Sequence, residues 1–130
     1  MAVVKLIGEV GGQATIGPYS PATVAGDMVF LSGQIPRDVS GKIVGASIEE
    51  ATRQTLQNLS VVLAAAGCVP ADVVKTTVFL QDMADYDGMN KTYATFFGGH
   101  RPARSTIQVA KLPAGARVEI ECIAMKQSPS

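Results

Sequence analysis

The amino-acid sequence predicts an α+β fold in which a single mixed sheet carries two helices on one face. Runs of alternating polar and apolar residues predict strands, and two longer segments with apolar residues three or four positions apart predict helices. Each helix has one apolar stripe, so it can cover only one side of a sheet. Because 130 residues suffice for one hydrophobic core but not for two, residues 1–130 are expected to form a single domain.

Three strands and one helix are predicted in the first half of the chain. Residues 3–7 form the first strand, and residues 22–25 and 28–32 form a hairpin around a Gly-Asp turn. Ser47, followed three positions later by Glu50, is a capping box that starts the first helix. We expect the apolar stripe of this helix to pack into the core and to carry no chemistry.

A strand and a second helix follow. Residues 73–80 are rich in β-branched side chains and predict a strand, while residues 85–97 carry aromatic and methionine side chains at helical spacing. Such a stripe is typical of core packing. His100, the only histidine, is predicted to be a loop residue and not a catalyst, because no serine or cysteine nucleophile is evidently paired with it.

Residues 101–122 predict two strands around a Pro-Gly turn at 112–116. Side chains alternate between the two faces of a strand, which separates apolar from polar rows. The rows expected to face the core are Ser105, Ile107 and Val109, then Val118, Ile120, Cys122 and Ala124. The opposite rows are Arg104, Thr106 and Gln108, then Arg117, Glu119 and Glu121. If the polar rows share one sheet face, Arg104 lies near Glu119 or Glu121, with the register left open.

An arginine beside a glutamate has two interpretations. The guanidinium can hold a small carboxylate in two parallel hydrogen bonds while the glutamate activates a water or moves a proton. Alternatively, Arg104 and Glu119 form a cross-strand ion pair on a solvated face that contributes less than about 1 kcal/mol. The residues by themselves leave both open.

Four sequence blocks resemble the RidA family, also called YjgF. They are Ile16-Gly-Pro-Tyr-Ser20; Leu31-Ser-Gly-Gln-Ile-Pro36; Val74-Lys-Thr-Thr-Val-Phe-Leu80 with Met89-Asn-Lys-Thr-Tyr-Ala-Thr-Phe-Phe97; and Pro102-Ala-Arg-Ser105 continuing to Val118-Glu-Ile-Glu121. They occur in the family's order and spacing over residues 16–126. The resemblance implies a chorismate-mutase-like α+β fold, a homotrimer with ligand clefts between subunits, and hydrolysis of reactive enamines and imines.

The same resemblance implies roles for individual residues. Arg104 would clamp the substrate carboxylate, Glu119 would position a water and shuttle a proton, and Tyr19 would orient the substrate. The residues expected to line the substrate cleft are Ser32, Gly33, Asn90 and Thr106. The activity implied is that of a 2-iminobutanoate/2-iminopropanoate deaminase, which releases a 2-keto acid and ammonia from 2-aminoacrylate-type substrates formed by pyridoxal-phosphate enzymes. No metal or organic cofactor is expected, because the imine is already a strong electrophile.

Two positions depart from the family pattern. Thr106 stands where many bacterial members carry a cysteine, which excludes a thiol role while leaving carboxylate clamping intact. Arg101 stands where members often carry an aromatic residue. It is expected to add positive charge near the cleft mouth, which leaves the substrate range open towards more acidic or larger imino acids.

Composition bears on the alternative functions. Eleven basic and eleven acidic residues give a formal charge of zero, and aromatic residues make up 5% of the chain. Both numbers disfavour a second activity described in the family, single-strand endoribonuclease action that inhibits translation, so a nucleic-acid partner is not expected. A non-catalytic small-carboxylate sensor or chaperone-like binder remains the main alternative. It would keep the Arg104 clamp without depending on Glu119.

The remaining expectations concern partners and location. A hydrophobic fraction of 47% is high for a small monomer and favours self-association. Cys68 and Cys122 have no metal-ligand spacing and are predicted to be reduced and buried. No signal peptide, transit peptide or membrane span is recognisable, so a cytoplasmic location is expected, with a mitochondrial one left open.

Overall fold

A computed structural model describes residues 4–8, 10, 15 and 17–127. A six-stranded mixed sheet forms its centre, with strand order β1-β2-β3-β6-β4-β5. Only β4 and β5 pair in parallel; the other neighbours are antiparallel. Residue 3, with which the predicted first strand begins, lies outside the described residues. The strands are β1 (Val4–Ile7), β2 (Ala22–Ala25), β3 (Met28–Gln34), β4 (Val73–Leu80), β5 (Ala103–Gln108) and β6 (Val118–Met125).

Two helices cover one face of this sheet, as the single apolar stripe on each predicted. Helix α1 spans Ile48–Ala65 and helix α2 spans Tyr86–Phe97. The predicted cap is present, because Ser47 Oγ accepts a hydrogen bond of 3.1 Å from the Glu50 backbone N–H. The arrangement confirms the predicted α+β class with one mixed sheet and two helices on a single face.

The core lies between the helices and the sheet. Its largest fully buried apolar side chains are Leu56, Leu59 and Leu63 of α1, Met89 of α2, and Val29, Val73, Val78, Leu80, Val118 and Ile120 of the sheet. The predicted core row of β6 is confirmed. Both cysteines are free and buried, as predicted, and burial raises the pKa of Cys122 to about 12, so this thiol stays protonated. No helix in the described ranges is both long and apolar enough to cross a membrane.

The orientation of β5 differs from the prediction. β4 separates β5 from β6, so the two C-terminal strands are not neighbours. Arg104 pairs with the fully buried Thr76 of β4, so its side chain points to the helix-covered face. Ser105 and Ile107 therefore point to the open face, and Ile107 is 46% exposed. The prediction that Ser105 and Ile107 face the core was wrong. The pairing of β5 with β4, and not the hydrophobicity of these residues, decides which sheet face they occupy.

The sheet face without helices carries exposed apolar side chains. Phe30 of β3 and Met125 of β6 are 44% and 45% exposed, and Ile107 lies on the same face. Glu119 and Glu121 alternate with the buried residues of β6 and lie there as well. Of the polar residues expected on this face, Arg104, Thr106 and Gln108 lie on the other one.

The packing of α1 leads to a stability prediction. Leu56 is completely buried between α1 and the sheet, whereas its neighbour Gln57 is exposed. We expect Leu56→Ala to lower the free energy of unfolding by about 2–5 kcal/mol, because the substitution leaves a cavity in a packed core. Gln57→Ala is the matched control and should change it by less than about 0.5 kcal/mol. Chemical denaturation of both variants checks this, and equal effects would contradict the helix orientation.

Candidate functional site

Arg104 lies on the helix-covered face of the edge strand β5, held by aromatic side chains of α2. Its guanidinium carbon is 4.8 Å from the ring centre of Tyr93 and 5.6 Å from that of Tyr86. One nitrogen donates a 3.2 Å hydrogen bond to Tyr86 Oη, and another contacts Met89 Sδ at 3.8 Å. These contacts hold the guanidinium in place through cation–π attraction. Among the described residues no carboxylate pairs with it.

The aromatic support of Arg104 is itself anchored to the sheet. The hydroxyl groups of Tyr93 and Thr76 are joined by a 2.7 Å hydrogen bond, and both residues are buried. Burial raises the pKa of Tyr93, so the phenol stays neutral. The aromatic stripe was predicted to be core packing; Tyr86 and Tyr93 also position Arg104. This second role follows from the pairing of β5 with β4, which turns Arg104 toward α2.

Two predicted cleft residues have buried polar atoms without partners. Thr106 Oγ1 and Asn90 Oδ1 are buried and accept or donate no hydrogen bond within the described part of the chain. Thr106 is two residues from Arg104 on the same face of β5, and Asn90 follows the Met89 that touches Arg104. A buried polar atom without a partner costs free energy, so such atoms mark places where a ligand or water completes the bonding.

Glu119 lies on the opposite sheet face, over the backbone of β3. A Cβ atom built on Gly33 would lie 2.1 Å from Glu119 Oε2 and 2.8 Å from its Cδ, so only glycine leaves room for this carboxylate. The register between β3 and β6 shifts between Leu31 and Gln34, which is a bulge at that point.

The electrostatics of Glu119 differ from those of an ion-paired carboxylate. Burial, followed by repulsion from Glu121, raises the pKa of Glu119 above its ordinary value of 4.5. Within the described residues it forms no salt bridge. The alternative interpretation, a cross-strand ion pair with Arg104, is therefore excluded within one chain.

Tyr19 and Ser32 lie beside Glu119. Tyr19 is 48% exposed and belongs to a turn in which its N–H donates to the Gly17 carbonyl at 2.9 Å. Ser32 Oγ donates a 2.7 Å hydrogen bond to the Ser20 carbonyl, and its N–H donates to the Pro21 carbonyl at 2.9 Å. Ser32 thus ties the Tyr19 loop to β3 and uses its hydroxyl proton to do so.

A cavity of about 470 Å³ opens beside these residues. Tyr19, Gly33 and Glu119 line one part, and the segment 34–41 with helix α1 lines the rest. Two residues of this wall, Arg37 and Asn58, were not singled out from the sequence. Asn58 is a polar side chain at the margin of an otherwise apolar helix stripe, a signal that could have found it.

The structure therefore divides the predicted site into two groups on opposite sheet faces. Arg104 and Thr106 lie on the helix side, with Asn90 on the neighbouring helix. Glu119, Gly33 and Tyr19 lie together at the cavity, and Ser32 directly precedes Gly33 on β3. Arg104 was expected to lie near Glu119 or Glu121 within one subunit. This expectation was wrong, because β4 separates β5 from β6 and the row of β5 that contains Arg104 faces the helices.

Other charged residues near the site are engaged in the fold. Arg101 donates from Nη1 to the carbonyls of Gly98 and His100, at the C-terminal end of α2, so its charge caps that helix. His100 lies in a loop, as predicted, and its imidazole contacts the Val73 carbonyl at 2.6 Å. Arg117 forms a 2.8 Å ion pair with Asp85.

Known proteins resemble this chain in both sequence and fold. The sequence profile named endoribonuclease L-PSP matches residues 12–126. The chain is 48% identical to a RutC family protein of Pyrococcus horikoshii, over 86% of this chain and 90% of the relative. It is 46% identical to the mouse 2-iminobutanoate/2-iminopropanoate deaminase, over 94% and 91%. Among solved structures, E. coli TdcF with bound serine is 38% identical, with a TM-score of 0.88 over 95% of this chain and 99% of that one.

The contact between Gly33 and Glu119 can be tested by a double-mutant cycle. We expect Gly33→Ala to destabilise the wild-type chain, because its methyl group displaces the Glu119 carboxylate. In a Glu119→Ala background the same change should cost less, with a coupling free energy of about 1 kcal/mol. Denaturant unfolding of the four proteins measures this coupling. Additive effects would show that the carboxylate does not rest on Gly33.

Proposed function

The chain belongs to the endoribonuclease L-PSP family, and we propose that it hydrolyses short-chain 2-imino acids to 2-keto acids and ammonia at a site shared by two subunits. Relatives with 41–46% identity over most of the chain are named 2-iminobutanoate/2-iminopropanoate deaminase, so the chain is an enzyme of this class. The observation that carries the proposal is the Arg104 guanidinium. It is held rigidly and has no carboxylate partner among the described residues.

A 2-imino acid presents a carboxylate next to an electrophilic carbon. Arg104 offers a planar pair of N–H donors that fits this carboxylate in two parallel hydrogen bonds. The orphaned Thr106 hydroxyl, two residues along the same face of β5, would supply a further polar contact, and the orphaned Asn90 carboxamide oxygen of α2 is a second candidate. Because Tyr86 and Tyr93 already hold the guanidinium, little freedom is lost when the substrate binds.

Glu119 is the group proposed to move protons. Its carboxylate would accept a proton from water as the oxygen attacks the imine carbon, forming a tetrahedral carbinolamine. On a protonated imine, transfer of that proton to nitrogen makes ammonia the leaving group; as the C–N bond breaks, the nitrogen takes the bonding pair and the hydroxyl proton passes back to Glu119, which leaves the carbonyl of the keto acid. The raised pKa strengthens Glu119 as a base and brings it closer to neutral pH, where accepting and donating a proton are better balanced. Tyr19, at the same cavity, would orient the substrate.

Arg104 and Glu119 lie on opposite faces of one sheet, so a single chain cannot apply both to one substrate. We therefore propose that the edge strand β5 of one subunit brings its Arg104 to Glu119 on the apolar open face of a neighbour. Phe30, Ile107 and Met125 give this face the exposed hydrophobic area that a subunit interface buries. The family's homotrimer is the assembly proposed, with small imino and keto acids as the ligands.

Arg104 and Glu119 can be tested separately in an activity assay. Purified protein is added to a serine/threonine dehydratase reaction, and the surviving imine is trapped as a semicarbazone. We expect wild type to lower the semicarbazone yield, and Arg104→Ala and Glu119→Gln each to reduce kcat/KM by about 100-fold or more, because one removes the clamp and the other the base.

The controls separate charge from chemistry. Arg104→Lys keeps the charge but loses the bidentate geometry, so it should recover only part of the activity. Arg53→Ala removes an exposed arginine of α1 and should act like wild type. If wild type left the semicarbazone yield unchanged, the deaminase proposal would be rejected. If Glu119→Gln alone were fully active, the carboxylate would have no proton-transfer role.

A mixing experiment tests whether the site is shared. Arg104→Ala and Glu119→Gln proteins are unfolded together in equal amounts, refolded as hybrids and assayed. A shared site combines Arg104 from one chain with Glu119 from the next, so random assembly should restore about a quarter of wild-type activity. Separately refolded variants mixed afterwards are the control. Hybrids no more active than this control would place the whole site within one chain.

A further inference from the structure

The cavity beside Glu119 is larger than a short-chain imino acid requires. Its volume of about 470 Å³ lies in the range of pockets that hold drug-sized ligands. Beyond Gly33 and Glu119 it continues between the segment 34–41 and helix α1. The residues that line this extension therefore bear on which substrate side chains the enzyme accepts.

Arg37 lines this extension. Its side chain is half-buried, and within the described part of the chain its guanidinium makes neither a hydrogen bond nor an ion pair. Its acidic neighbour Asp38 is engaged in the local turn, where its carboxylate accepts hydrogen bonds from Ser40 and Lys42. Arg101, expected from the sequence to supply the extra positive charge, is engaged at the end of α2. Among the described residues that line the cavity, Arg37 is the only cation.

The backbone that carries Arg37 is fixed to helix α1. The Asn58 carboxamide donates two hydrogen bonds of 2.9 Å, to the carbonyls of Ile35 and Arg37, and accepts another from Gln54 at 2.9 Å. A bridge between Arg37 and Ile43 closes the loop. The fixed backbone keeps Arg37 beside the cavity, while the side chain itself keeps rotamer freedom that a bound ligand must order.

Much of the remaining cavity wall is apolar. Val39, Val61 and Val62 line it, together with Pro113. Such walls suit a methylene chain, while a guanidinium without a partner among the described residues suits a carboxylate. We infer that Arg37 is a specificity-determining residue that selects 2-imino acids whose side chain ends in a second carboxylate. This inference rests on the proposed function, since it names the substrate class of the same site.

Binding of the corresponding keto-acid products tests the inference without relying on turnover. Titration calorimetry compares 2-oxoglutarate, a dicarboxylate, with 2-oxobutanoate on wild type, Arg37→Gln, Arg37→Lys and Arg53→Gln. We expect wild type to bind the dicarboxylate at least about tenfold more tightly, because a charge-assisted contact is added. Arg37→Gln should abolish this preference, Arg37→Lys should keep part of it, and Arg53→Gln, which removes an exposed charge on α1, should keep all of it.

The outcomes separate this inference from the deaminase proposal. A dicarboxylate preference that is absent in wild type, or that is unchanged in Arg37→Gln, overturns the role of Arg37 even if short-chain imines are hydrolysed. A preference that depends on Arg37 supports the role even if no imine is hydrolysed, in which case the deaminase proposal alone fails. The ratio of kcat/KM for a dicarboxylic and a monocarboxylic imine, each generated by an amino-acid oxidase, should fall about tenfold in Arg37→Gln.

Discussion

The parallel pairing of β5 with β4 is the constraint on which the arrangement of the site depends. Because Thr76 faces the helices, its partner Arg104 must do so too, and every second residue of β5 follows. A register shifted by one residue would bury Ile107 and expose Arg104. The aromatic side chains of α2 make the observed register tolerable, since they offer π-faces to a half-buried cation.

The unsatisfied polar groups show where stability and function oppose each other. Arg104 has no counter-ion within the described residues, Glu119 has a raised pKa, and Thr106 and Asn90 have orphaned oxygens. Each feature is unfavourable in the isolated chain. They occur at positions that the family resemblance connects with the substrate. Proteins commonly keep such unfavourable groups where a ligand, or another subunit, supplies the missing partner.

The open sheet face links assembly to chemistry. Its apolar residues would be left in water in a monomer, while Glu119 lies among them. An interface that buries this face would also shield the carboxylate from water and bring a second chain to it. A neighbouring subunit on this face would therefore both cover the apolar surface and bring Arg104 to Glu119.

The sequence by itself determined the elements, the helix cap at Ser47, the buried row of β6 and the identity of the family, because these depend on local periodicity and on residues at fixed spacing. Only the tertiary structure decided that β4 separates β5 from β6, that Arg104 and Glu119 lie on opposite faces, and that Arg101 caps a helix while Arg37 lines the cavity. These facts depend on long-range strand pairing and loop packing, which alternation along one strand does not encode.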